Sequence, residues 1–152
     1  MADLDVRIEE LEPMRVASVR IVSVSPEHDA WEILKSWADA RGYLGDLEKH
    51  PVFGFNNPNP SPDRKECGYE FLIRVPPDTE SEGEIEIKDF PGGLYAVTTQ
   101  KGLPTPVVWM SLWNWVKSSS YKWRKTNELE RAHDPLAPHD EMVFDLYLPI
   151  MK

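Results

Sequence analysis

An internal repeat constrains the fold of this chain more than any other feature of its sequence. The segment VRIEELEPMRVASVR at 6–20 matches EIEIKDFPGGLYAVTT at 84–99 at a constant offset of 78 residues. Aromatic residues continue this offset, with Trp31 on Trp109, Trp37 on Trp115 and Tyr43 on Tyr121. Such a period indicates two copies of one supersecondary unit. We therefore expect a single domain over residues 1–152 with internal repeats at about 4–76 and 84–150.

The pattern of apolar residues predicts the same order of elements in each half, namely a strand, a helix and two further strands. Residues 4–23 alternate as a strand, and Ser25 with Pro26 provides a cap and a first-turn proline for a helix. The predicted elements are strands at 4–23, 52–56 and 69–75 with a helix at about 26–42, then strands at 84–100, 127–133 and 142–149 with a helix at about 105–118. The stretches at 56–68 and 133–141 are dense in turn residues, so we expect them to be exposed.

Charge and composition exclude several classes of function. The chain carries 17 basic and 26 acidic residues, for a formal net charge of −9. This charge repels phosphate backbones, so we expect no direct binding to nucleic acid. The single cysteine, Cys67, fits a reducing compartment, and the N-terminal residues show no charged-then-apolar leader. Because no apolar run approaches the roughly 18–20 residues that span a bilayer, we predict a cytoplasmic protein that does not contact membranes.

Five segments, spread over almost the whole chain, carry a resemblance to a known family. They are GYEFLIRVP (68–76), FPGGLYAVTTQKG (90–102), W-x5-W (109–115) with the following SSSY (118–121), LERA (129–132) and LYLPI (146–150). In this order and spacing, the chain resembles the GyrI-like small-molecule-binding family. That family includes the effector-binding domains of several bacterial transcription activators.

The resemblance implies an α+β fold built from two strand–helix–strand–strand (SHS2-type) units related by a pseudo-twofold axis. The two units would form an antiparallel sheet with both helices on one side and a ligand groove between the repeats. The implied ligands are hydrophobic, planar and often cationic, as in multidrug binding. In regulators of this family the domain follows a helix-turn-helix unit, and none precedes residue 4 here, so we do not expect direct control of transcription. The sequence contains no phosphate loop or redox pair, and we expect no cofactor.

Glu130, in the LERA segment, best matches the family's ligand-facing carboxylate. Aligning the halves through their equivalent prolines places Phe53 opposite Glu130 and Phe55 opposite Ala132. The groove would then be apolar at one end and anionic at the other. This arrangement suits a flat amphipathic cation, which a carboxylate and ring faces can hold together. The residues alone also allow an exposed glutamate at the end of a strand.

Tyr69, Glu70 and Tyr95 are further candidate ligand contacts. Tyr69 belongs to a row of alternating apolar residues, and Glu70 points to the opposite face of the same strand. If the Tyr69 row faces the helices, Glu70 faces water; if the groove lies on the other face, Glu70 lines it. Tyr95 follows a Gly-Gly kink, where its hydroxyl can donate to a ligand or anchor the strand.

The tryptophans divide into packing residues and candidate binding residues. Trp37 and Trp115 are equivalent in the repeat and are assigned to packing, whereas Trp109 and Trp113 are predicted to line the groove. The stretch 133–141 contains five potential metal ligands, but their spacing matches no established pattern. No metal site is predicted.

Two functions are compatible with these residues. The first is a stand-alone protein that binds a small hydrophobic or cationic organic molecule. The second is a hydrolase that opens cyclopropane rings in genotoxic compounds, as some family members do, with Glu130 and Glu70 as acid–base groups. A binder needs one ionised carboxylate, whereas a hydrolase needs carboxylates with separated pKa values. Direct inhibition of gyrase or another protein partner follows from the resemblance alone.

Overall fold

A computed structural model describes residues 4–57, 62–63 and 67–152, and the described residues form nine strands and two α-helices. The strands are β1 (Val6–Leu11), β2 (Met14–Ser23), β3 (Val52–Asn56), β4 (Cys67–Arg74), β5 (Glu86–Phe90), β6 (Gly93–Lys101), β7 (Lys122–Trp123), β8 (Leu129–Ala132) and β9 (Val143–Met151). The helices are α1 (Pro26–Ala40) and α2 (Pro106–Lys117), with short 3-10 turns at Tyr43–Gly45 and His139–Glu141. Because the described strand pairings are antiparallel, the predicted α+β class is confirmed. Part of the predicted exposed stretch 56–68 lies outside the described residues.

Two compact units divide the chain differently from the sequence repeats. The continuous unit is Pro13–Pro91, and the discontinuous unit combines Met1–Glu12 with Gly92–Lys152. The strand order is β3-β4-β2-β5 in the continuous unit and β1-β6-β9-β8 in the discontinuous unit, where β7 also pairs with β9. Each unit therefore contains one strand from the other sequence half, since β1 pairs with β6 and β5 pairs with β2. Superposition of the two sequence halves along their whole length stays a prediction.

The first predicted strand of each half is in fact two strands. Residues 4–23 divide at Pro13 into β1 and β2, because proline lacks the N–H that a continuous ladder requires. Residues 84–100 divide at Gly92 into β5 and β6, and the φ of Gly92 is 74°, a conformation that favours glycine. At both breaks the chain leaves one compact unit and enters the other.

In the continuous unit, α1 packs on one face of β2 and β4. Pro26 is the first residue of the helix, where its missing N–H costs no hydrogen bond, and Gly42, with a φ of 76°, follows the helix end. The core contains alternate residues of the strands together with one side of the helix. Its fully buried members include Ala17, Val19, Ala30, Leu34, Ala38, Val52, Ile73 and Val75.

In the discontinuous unit, α2 packs on one face of β6 and β9. Thr105 caps the helix, and its hydroxyl accepts a hydrogen bond from the Val108 N–H at 3.4 Å. The buried core consists of Ala96, Leu112, Val116, Leu146, Leu148 and Ile150. Each helix thus covers one face of the sheet in its own unit. Among the described residues, neither helix is long and apolar enough to cross a membrane.

Candidate functional site

The sheet face of the continuous unit opposite α1 carries the candidate site, which we call the Glu70 face. Residues that pair directly across neighbouring strands point to the same side of a sheet. These side chains lie on one face because Phe55 pairs with Glu70, Phe53 and Ser18 both pair with Leu72, and Lys88 pairs with Val16. The face comprises Met14, Val16, Ser18, Arg20, Phe53, Phe55, Glu70, Leu72, Arg74, Glu86, Lys88 and Phe90. Its buried part combines the Glu70 carboxylate with apolar and aromatic side chains, and its exposed part carries Arg20, Arg74 and Glu86.

The Glu70 carboxylate is buried, with only 2% of the residue exposed, and both of its oxygens accept hydrogen bonds. Its Oε2 accepts hydrogen bonds from Ser18 Oγ at 2.6 Å and from Lys88 Nζ at 2.8 Å. Its Oε1 accepts a hydrogen bond from Asn57 Nδ2 at 2.9 Å. The three donors come from β2, from β5 and from the residue after β3, so three segments of the unit hold one carboxylate.

The hydrogen bonds decide the charge state of Glu70. Burial alone raises the pKa of a carboxyl group, because it removes water from the charged form. At Glu70 the hydrogen bonds from Lys88, Ser18 and Asn57, together with the Lys88 charge, outweigh burial and hold the pKa below its ordinary value of 4.5. Glu70 is therefore ionised at neutral pH, and its counter-ion is an ammonium whose side chain is 37% exposed.

Aromatic rings accompany this carboxylate on the same face. Phe53 stacks with Phe90, with ring centroids 6.5 Å apart and an interplanar angle of 10°. Phe55 pairs with Glu70 across β3 and β4, and both Phe53 and Phe55 are buried. Rings next to an ionised carboxylate provide apolar contact area and cation–π attraction at once. The buried part of the face, which contains Glu70 and these rings, therefore favours a cation with apolar groups.

A second buried carboxylate, Asp145, lies in the discontinuous unit on the sheet face opposite α2. Its Oδ1 accepts a hydrogen bond from Thr99 Oγ1 at 2.7 Å and lies 2.8 Å from His133 Nε2, while Oδ2 lies 3.2 Å from Arg7 Nη2. Burial alone raises the pKa of Asp145, but these hydrogen bonds and the charges of His133 and Arg7 lower it. The Arg7 and His133 side chains are about half exposed.

Tyr95 also lies on the face opposite α2, but a cation of the chain already contacts its ring. The guanidinium carbon of Arg124 is 4.9 Å from the ring centroid, and Tyr147 makes an edge contact at 5.7 Å. Arg124 donates hydrogen bonds to the carbonyls of Leu94 at 3.0 Å and Ile150 at 3.2 Å. The Tyr95 ring thus anchors an arginine, and a ligand contact for Tyr95 stays a prediction.

Tyr69, Trp109 and Trp113 lie on the helix sides of their sheets. Tyr69 contacts the Phe71 ring at 4.9 Å, and its ring covers Gly54, where an added Cβ would lie 2.5 Å from the Tyr69 hydroxyl. Trp109 and Trp113 are partly buried against the core of the discontinuous unit. Because the row that contains Tyr69 faces α1, the expectation that Glu70 would then face water is wrong: Glu70 is buried on the opposite face.

The predicted equivalence of Phe53 and Glu130 is also wrong. Glu130 pairs directly with Leu146, which is buried in the core that α2 covers, so the Glu130 side chain points to the helix side of its sheet. Phe53 points away from the helix in its own unit. In β8, the residue that corresponds to Phe55 is Arg131. Both side chains point away from the helix of their unit, and Arg131 pairs with Asp145 as Phe55 pairs with Glu70. The role of Glu130 as a ligand contact stays a prediction.

A one-residue error in the alignment explains this result: the prolines give an offset of 77, which joins Phe53 to Glu130, whereas the strand pairings relate Phe55 to Arg131, at an offset of 76. The buried helix positions match at the offset of 78, as Leu34 and Leu112 show. The helix-side positions of β2 and β6 match instead at 79, as Ala17 and Ala96 show. A shift of one residue moves every side chain of a strand to the opposite face. Because Phe55 pairs with Glu70 as Arg131 pairs with Asp145, the Glu70 face corresponds to the face that contains Asp145.

Sequence reasoning missed the partners of both carboxylates. Ser18, Lys88 and Asn57 belong to three separate segments, and Lys88 reaches Glu70 only because β5 pairs with β2. That pairing joins strands from different sequence repeats, which no local pattern reveals. One available signal was Asp145, a charged residue inside the otherwise apolar strand VFDLYLPIM. A charge in a buried strand is seldom left without partners.

With the geometry in place, comparison with known proteins identifies the family. A model of the GyrI-like small molecule binding domain matches residues 4–151. The chain belongs to the GyrI-like family. The predicted family is confirmed, and the chain is a small-molecule-binding domain. A search of curated proteins finds no match.

Solved structures of low sequence identity share the fold of this GyrI-like domain. The C-terminal domain of EcmrR matches with a TM-score of 0.70 and 15% identity over 98% of both chains. In the EcmrR–DNA complex, this chain spans 57% of the EcmrR chain, at 16% identity and a TM-score of 0.72 over 97% of this chain. A hydrolase encoded by lin2189 from Listeria innocua matches with a TM-score of 0.71 and 11% identity over 98% of this chain and 93% of the other. SAV2435 bound to tetraphenylphosphonium matches with a TM-score of 0.54 and 12% identity over 97% and 94%.

Proposed function

We propose that this GyrI-like domain binds a hydrophobic organic cation at the Glu70 face. The observation that carries the proposal is the ionised, buried Glu70 carboxylate on a face that also presents Phe53 and Phe55. A buried negative charge attracts a cation strongly, because little water screens the interaction. Apolar groups on that cation would then contact the rings instead of solvent.

Lys88 is the resident counter-ion that a ligand would replace. Its ammonium is 2.8 Å from Glu70 Oε2 and 3.9 Å from Glu86 Oε2, and Glu86 is exposed. A lysine stem is flexible, so the ammonium can turn toward Glu86 and water while a ligand cation takes its place. Ser18 and Asn57 would keep their hydrogen bonds to the carboxylate during this exchange. The exchange would therefore leave no buried group unpaired.

The similar structure of SAV2435 supports this choice of ligand class. That protein was solved with tetraphenylphosphonium, which is a cation surrounded by four aromatic rings. The chemistry of that ligand matches a face that contains a buried carboxylate and several rings. Tetraphenylphosphonium is accordingly the probe of choice for this chain.

Hydrolysis is the competing function, and the Listeria innocua neighbour is named a hydrolase. A general acid must carry a proton near neutral pH, and the lowered pKa of Glu70 leaves it ionised. A general base must reach water, and both Glu70 oxygens already accept hydrogen bonds from the protein. We therefore propose binding without turnover. Ring-opened product in molar excess over protein, after incubation with a cyclopropane-bearing alkylator, would contradict this.

Calorimetric titration with tetraphenylphosphonium tests the proposal, with the anion tetraphenylborate as a control of nearly the same shape. We expect the cation to bind and the anion to bind much more weakly. Glu70→Gln should weaken cation binding by about five- to hundredfold, since a desolvated charge pair loses about 1–3 kcal/mol. Asp145→Asn removes the corresponding charge in the discontinuous unit and should leave binding unchanged. Equal binding by wild type and Glu70→Gln would sink the proposal.

Two further variants locate the site. Lys88→Met removes the resident counter-ion and should tighten the binding of tetraphenylphosphonium, because the ligand no longer competes with an ammonium. Glu130→Gln tests the carboxylate that the family resemblance indicates. If Glu130→Gln weakens binding and Glu70→Gln does not, the ligand binds in the discontinuous unit, and the assignment to the Glu70 face is wrong.

A further inference from the structure

The exposed stripe of α2 is apolar and basic. Val107 and Met110 are 71% and 64% exposed, and Asn114 and Lys117 continue the same side of the helix with spacings of four and three residues. Beside this stripe, Trp113 contacts Trp123 of β7 with ring centroids 5.5 Å apart, and Trp123 is 40% exposed. We call this surface the α2 surface, and it comprises Val107, Met110, Trp113, Asn114, Lys117, Lys122 and Trp123.

The charge of this region is opposite to that of the rest of the chain. None of the 26 acidic residues lies between residues 90 and 127, whereas five of the 17 basic residues do. These five are Lys101, Lys117, Lys122, Arg124 and Lys125. The α2 surface is therefore a basic and apolar area on a strongly acidic protein.

The corresponding stripe of α1 shows that the fold itself does not require an apolar surface here. The buried positions of the two helices match at an offset of 78 residues, which also relates their outer positions. The α1 counterparts of Val107, Met110, Asn114 and Lys117 are Asp29, Glu32, Ser36 and Asp39. One helix thus presents an ordinary polar surface, and the other presents large apolar side chains to water.

We propose that the α2 surface binds an acidic, amphipathic segment of another protein. Apolar residues of the segment would cover Met110 and Trp123, and its carboxylates would pair with Lys117 and Lys122. Helical segments commonly bind in this way, through apolar anchors at spacings of three and four residues. Both features of the surface, its apolar stripe and its lysines, then have a complementary partner.

Two other occupants fit the surface less well. An anionic membrane is flat and extends beyond the α2 surface, so the acidic remainder of the chain would be repelled by it. A second copy of this chain offers the acidic α1 stripe, but that stripe has no apolar side chains to cover Val107 and Met110. A short acidic segment contacts the α2 surface alone and meets neither objection.

Fluorescence anisotropy of two labelled synthetic peptides tests the proposal on the full chain. One peptide of about 18 residues places leucine at helical spacing among glutamates, and the second replaces every glutamate with lysine. We expect the glutamate peptide to bind, more weakly as salt rises, and the lysine peptide not to bind. Equal affinity for both peptides, or no binding of either, would overturn the proposal.

Matched variants assign the binding to the α2 surface. The double substitution Lys117→Glu with Lys122→Glu should weaken the binding of the glutamate peptide by about tenfold or more. The double substitution Met110→Ser with Trp123→Ser should have the same effect. Lys35→Glu with Lys49→Glu makes an equal change in net charge within the continuous unit and should have little effect. Thermal unfolding verifies that each variant is folded. The proposal fails if the first pair leaves peptide affinity unchanged.

The same variants identify the alternative occupants. Binding of wild type to phosphatidylserine vesicles without binding to the glutamate peptide would indicate a membrane surface. Self-association in sedimentation experiments that is lost with Met110→Ser and Trp123→Ser would indicate a second copy. Either result would show that the proposed acidic segment is not the partner. None of these measurements depends on the Glu70 face, so they can fail or succeed independently of small-molecule binding.

Discussion

Glu70 and Asp145 occupy corresponding faces of the two units, but different groups neutralise them. Thr99, His133 and Arg7 surround Asp145 and connect β1, β6, β9 and the end of β8. Glu70 has two neutral donors and one ammonium, and it pairs with the aromatic Phe55 on one side and with the exposed Arg20 on the other. The same sheet geometry can thus serve two purposes. Both carboxylates join several segments, but two cationic partners lie beside Asp145 whereas a single ammonium pairs with Glu70, and we propose that a ligand cation replaces that ammonium.

The largest effect should come from removing the Glu70 counter-ion. Lys88→Met leaves a buried, ionised carboxylate with two neutral donors, so we expect the free energy of unfolding to fall by about 2–3 kcal/mol. Urea denaturation measures this change, and Lys35→Met serves as a surface control. A loss no larger than that of the control would mean that Lys88 does not neutralise Glu70 in solution.

A smaller loss is expected when Asp145 is changed to asparagine. The Arg7 and His133 side chains are about half exposed, so water can solvate them once the carboxylate charge is gone. We expect the free energy of unfolding to fall by about 1–2 kcal/mol in the same urea assay. A loss greater than that of Lys88→Met would reverse the comparison and make Asp145 the more strongly buried charge.

The pH dependence of stability sharpens the comparison further. Because its folded-state pKa is lowered, Glu70 stabilises the protein above the ordinary value of 4.5, and this contribution disappears as pH falls through the folded-state pKa. The difference in unfolding free energy between wild type and Glu70→Gln should therefore shrink by on the order of 1 kcal/mol as the pH falls from neutrality through the folded-state pKa of Glu70. Urea denaturation at several pH values measures it. A difference that does not change with pH would show that the charge of Glu70 contributes nothing.

Glu128 provides the smallest effect, with the opposite sign. Burial raises the pKa of Glu128, so its ionised form is less favourable in the folded state than in the unfolded state. Glu128→Gln should therefore stabilise the protein at neutral pH, by about 0.5 kcal/mol. The gain should vanish in acid, where both states bind the proton. Destabilisation at neutral pH would indicate that ionised Glu128 makes favourable contacts.

Much of the fold could be predicted from local patterns. Strand β3 has its predicted bounds, and both helices lie where proline and apolar spacing place them. Pro13, by contrast, was included in a single strand, because alternation of apolar residues continues on both sides of it. The exchange of β1 and β5 between units depends on contacts distant in sequence, which periodicity does not contain.

The site could be predicted only in part, because successive side chains of a strand point to opposite faces of the sheet. Alternation separated Tyr69 from Glu70 correctly, but it could not state which of them α1 covers. The offset of 78 was correct for the helices, but the alignment through the prolines was one residue off in β3 and β8, which reversed the facing of Glu130 relative to Phe53. In a helix, an error of one residue turns a side chain by about 100° and is partly tolerated. In a strand, the same error assigns the side chain to the opposite face of the sheet.

The exchange of strands between the units has a consequence for synthesis on the ribosome. The residues of the continuous unit, Pro13–Pro91, are complete before most of the discontinuous unit has been translated. Strand β1 is made before the other described strands, yet its partner β6 begins only at Gly93. Until then β1 has no sheet to join and exposes unpaired backbone groups, which is the condition under which nascent chains associate wrongly. Three of the six side chains of β1 are ionisable. Their charges would keep β1 soluble until β6 has been made.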